Sequence, residues 1–61
     1  MNPESKQLFD KGMDALSKGN TLAALSCFED AFAIEEAPVI SSFVTFCIAK
    51  EREESRLLFL S

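Results

Sequence analysis

The sequence predicts an all-α fold: an antiparallel helix–turn–helix hairpin followed by a third helix. Three observations carry that prediction. Apolar residues recur at helical spacing on both sides of Lys18-Gly19-Asn20, and both prolines stand where a helix can begin. The one segment that could pass for a strand has no second strand to pair with.

Asn2-Pro3-Glu4 opens the first helix. Asn can cap the free N–H groups, Pro fits the first helical position, and Glu4 complements the positive end of the helix dipole. Leu8, Phe9, Gly12, Met13, Ala15 and Leu16 then form one apolar stripe. Lys18-Gly19 closes the helix, placed at about 3–18, with a cation near the last carbonyls and then a residue that accepts a left-handed backbone. Asn20 or Thr21 caps the second helix, at about 21–36. It carries Leu22, Ala24, Leu25, Phe28, Ala31, Phe32 and Ile34 against Ser26, Glu29, Asp30 and Glu35 on the other side. So short a turn forces the two helices antiparallel. Pro38 opens the third. Val39, Ile40, Phe43, Val44, Phe46, Cys47, Ile48 and Ala49 make it apolar around most of its circumference, and Ala49–Glu54 continues as strongly helical sequence.

Sixty-one residues make one domain at most, 1–61. A chain of this size buries only about 60% of the surface its unfolded form exposes, so it needs disulfides, a metal or a partner chain. Cys27 and Cys47 sit inside apolar segments, and Met1-Asn2-Pro3-Glu4 has neither the basic start nor the apolar core of a signal peptide, so reduced thiols in the cytoplasm are expected. With no histidine and no close cysteine pair, neither a metal nor another cofactor is expected. That leaves a partner chain. A net charge of −4 without a basic face argues against nucleic acid and anionic membranes. Ala37–Ala49, 13 residues with three hydroxyl side chains, is too short to span a bilayer, which takes about 20.

The register of small and aromatic residues resembles a tetratricopeptide repeat, a helix–turn–helix of about 34 residues. Leu8 stands in the first aromatic slot, Gly12 in the glycine slot and Ala15 in the tyrosine slot. Gly19-Asn20 matches the turn, Ala24-x3-Phe28 the centre of the second helix, and Ala31 its next small position. Pro38 falls two residues late, and Lys11 and Ala15 replace the usual Leu and Tyr. An unrelated hairpin with small residues at its crossing is the alternative. A shift of 34 lays Phe9 on Phe43, Ala15 on Ala49 and Lys18 on Arg52, so the chain reads as one repeat (about 5–38) and part of a second (about 39–61). In that second copy Glu53-Glu54 replaces Gly19-Asn20. With the glycine gone, the third helix is free to run on to about Leu60.

The resemblance implies a non-catalytic module that binds a protein or peptide. Carried over by register, its groove would be lined by Lys6, Phe9, Met13 and Ser17 on the first helix and by Ile40, Phe43, Cys47 and Lys50 on the third. Phe9, Met13 and Phe43 would be apolar anchors, and Lys6 and Lys50 would grip acidic groups. The competing expectation is that Phe43 and Cys47 are consumed as core. A hairpin cannot cover an apolar third helix and the Leu57-Leu58-Phe59-Leu60 tail. Homodimerisation through Phe43, Val44, Phe46, Leu57, Leu58, Phe59 and Leu60 is therefore expected. A purely structural self-assembling unit and a small chaperone for one client are the other readings. Catalysis is not expected: the cysteines lack an activating histidine, and the runs Glu35-Glu36 and Glu51-Glu53-Glu54 read as solvated helix ends.

Overall fold

Three helices build the fold: α1 (Pro3–Ser17), α2 (Thr21–Ile34) and α3 (Pro38–Leu60). A computed structural model describes residues 2–60, the side chains of 58–60 excepted. The helix starts follow the local signals. The Asn2 side chain accepts the Glu4 N–H at 2.9 Å and Pro3 fills the first turn. Asn20 caps α2 by accepting the Ala23 N–H at 3.2 Å. It also completes the end of α1, donating its own N–H to the Ala15 carbonyl at 2.8 Å while Gly19 donates to Leu16 at 3.0 Å. Those two bonds form a Schellman motif, and they need the left-handed backbone that Gly19 adopts at φ 77°.

α2 ends two residues before the expected position. Pro38 begins α3 and disfavours a helical backbone at Ala37, whose carbonyl instead accepts the Ile40 and Ser41 N–H groups at 3.1 Å. Glu35 turns extended, at φ −141° and ψ 111°. Its carboxylate then reaches the start of α1, accepting the Asn2 N–H at 2.6 Å. The buried Ser5 hydroxyl lies 3.4 Å from the same oxygen and donates to the Asn2 carbonyl at 2.9 Å. A second clasp resembles the first. The nearly buried Thr21 hydroxyl donates to the Glu54 carboxylate at 3.2 Å. α2 has no acidic residue in its own first turn, so α3 supplies the negative group that its positive end favours.

The core is a triangle of rings, one from each helix. Phe28 of α2 stacks on Phe43 of α3 with centroids 5.2 Å apart and meets Phe9 of α1 edge-on at 5.3 Å. Phe9 and Phe43 complete the triangle edge-on at 5.1 Å. Each such pair contributes about 0.5–1.5 kcal/mol beyond its buried area. Ala24, Phe28 and Cys47 form the fully buried centre, with Ala15, Leu16, Leu25 and Val44 packed round it.

At Gly12 the backbone of α1 lies directly against the Phe28 ring of α2. A Cβ there would stand 2.7 Å from Cε1 and 2.8 Å from Cζ of Phe28, a ring held between Phe9 and Phe43. Gly12→Ala gains about 1 kcal/mol of helix propensity but overpacks a rigid neighbour at about 1–3 kcal/mol. The expected net loss is about 1 kcal/mol, or about 4–8 °C in melting temperature for a domain of this size. A thermal melt checks it; a higher melting temperature would mean the ring has room to move.

Candidate functional site

The residues assigned from the sequence to a binding groove separate by burial. Lys6, Met13 and Ser17 are exposed on α1, and Phe9, Phe43 and Lys50 are half-buried. Ile40 and Cys47 are fully closed off from solvent, which corrects their place in the groove. Cys47 belongs to the centre with Ala24 and Phe28, and Ile40 lies two turns earlier on the same side of α3. No partner can touch either. The Phe9 and Phe43 rings bind each other and Phe28, so they form the floor beneath this surface. What remains open to an incoming chain is Lys6, Met13 and Ser17 on α1 and the half-buried Lys50 on α3.

The residues assigned to self-association separate as well. Phe46 is 52% exposed, and Leu57 is exposed beyond it. Val44 and Phe43 are half-buried and pack against the chain's own core, so only part of each is left for a second copy. The side chains of Leu58, Phe59 and Leu60 lie outside the described residues. Val39, not assigned to self-association from the sequence, joins Phe46 on the solvent side at 45% exposure, and Ile48, 40% exposed, lies on the opposite flank of α3.

The reason lies in two apolar stripes that run along α3 one residue out of phase. Ile40, Phe43, Val44 and Cys47 face inward, while Val39, Ser42, Phe46 and Ala49 face solvent. Both are apolar enough to be core, so periodicity alone could not separate them. The available signal was the shift of 34 residues: it superposes Phe43 on Phe9, and those two rings meet. The same shift carries Ser5, Leu8, Gly12 and Ala15 of α1 onto the solvent-facing stripe. On α1 that register is covered: Ser5 and Gly12 are buried, and Leu8 and Ala15 half-buried. On α3 it is bare.

The surface offers apolar contact more than chemistry. Burial pushes the Cys47 thiol above its usual range, outweighing the opposite pull of the Lys50 charge, and a protonated thiol is a poor nucleophile. Among the described residues no group of three or more His, Cys, Asp or Glu side chains could hold a metal ion, and no helix is long and apolar enough to cross a membrane. A depression of about 290 Å³ beside the first turn of α2 is lined by Glu51 and Glu54, and the Thr21 clasp engages Glu54. No family model matches the chain, nor does any curated protein or solved structure.

Proposed function

We propose that this chain is a non-catalytic protein–protein interaction module of tetratricopeptide type, acting in the cytoplasm. It self-associates through α3 and holds a polypeptide along α1 and α3, with Met13 as the apolar contact and Lys6 and Lys50 meeting acidic groups. The observation that carries this reading is the division of α3. One of its apolar faces is core, another, with Val39 and Phe46, stands in solvent, and Ile48 is exposed on the opposite flank of the helix. Large exposed apolar surface on so small a chain marks an interaction site. The repeat assignment is supported by the close approach of Gly12 to Phe28 and by contact between Phe9 and Phe43, residues one repeat apart.

The test is retention from a cell lysate. Wild-type protein holds one foreign polypeptide in stoichiometric amount, Met13→Glu releases it, and Asp30→Lys, on exposed α2 surface, keeps it. Retention of further copies of this chain alone would withdraw the groove and leave a structural self-assembling unit.

A further inference from the structure

We draw no further inference here: the strongest candidate, the exposed apolar face of α3 at Val39 and Phe46, carries none because nothing in the structure shows what covers it.

Discussion

Phe28→Ala is expected to destabilise the chain by about 3–5 kcal/mol, the largest loss of any single truncation of this core. Phe28 is fully buried, touches a ring from each of the other two helices, and fills the space that Gly12 leaves open. Its neighbours cannot close the cavity without moving all three helices. Small domains have a net stability of about 5–15 kcal/mol, and one of this size sits toward the low end. The variant should lose most of its helical signal on mild warming, and urea unfolding followed by circular dichroism reads the loss. A decrease below about 1 kcal/mol would mean that the ring triangle is not the centre of the fold.

Phe43→Asp is expected to lower both melting temperature and assembly, while Asp30→Lys changes neither. The aspartate would forfeit stacking on Phe28 and the edge contact with Phe9, and would put a carboxylate against apolar rings. Lost burial and a polar group without partners together amount to about 3 kcal/mol. At about 4–8 °C per kcal/mol, the melting temperature should fall by more than about 10 °C. Assembly falls with it because the outward stripe of α3 is held in place by the inward one. Asp30 is exposed on α2 and appears in no core contact. Calorimetry and light scattering on the two variants make the comparison, and equal effects would show that the faces are assigned the wrong way round.

Much of this fold could be read from local chemistry. Asn2-Pro3, Gly19-Asn20 and Pro38 mark helix boundaries through interactions a few residues long, and the structure sets those boundaries where expected. Gly12 and Phe28 were also legible, as a small residue and a large one in matching positions of adjacent helices. What was not legible depends on residues far apart in the chain. The extended backbone of Glu35 accompanies a bond to Asn2, and Thr21 is buried against Glu54, in both cases 33 residues away. No window of helical periodicity registers either clasp. The two faces of α3 were ambiguous for a different reason. Ile40 and Cys47 differ little in polarity from Val39 and Phe46, and only the position of α2 decides which pair is dry. A groove that includes Ile40 and Cys47 is therefore deeper than the solvent-accessible surface reaches. Phe43 and Val44, expected at the self-association surface, are shared with the chain's own core.

The central claim is that the chain shelters one face of α3 and needs a second copy for the other. The molar mass of the wild-type chain, measured by light scattering across micromolar concentrations, tests it most directly. Twice the chain mass, falling toward the single chain on dilution, is the predicted result. A single-chain mass at every concentration, with the helical signal intact and Phe46 still exposed, would contradict it.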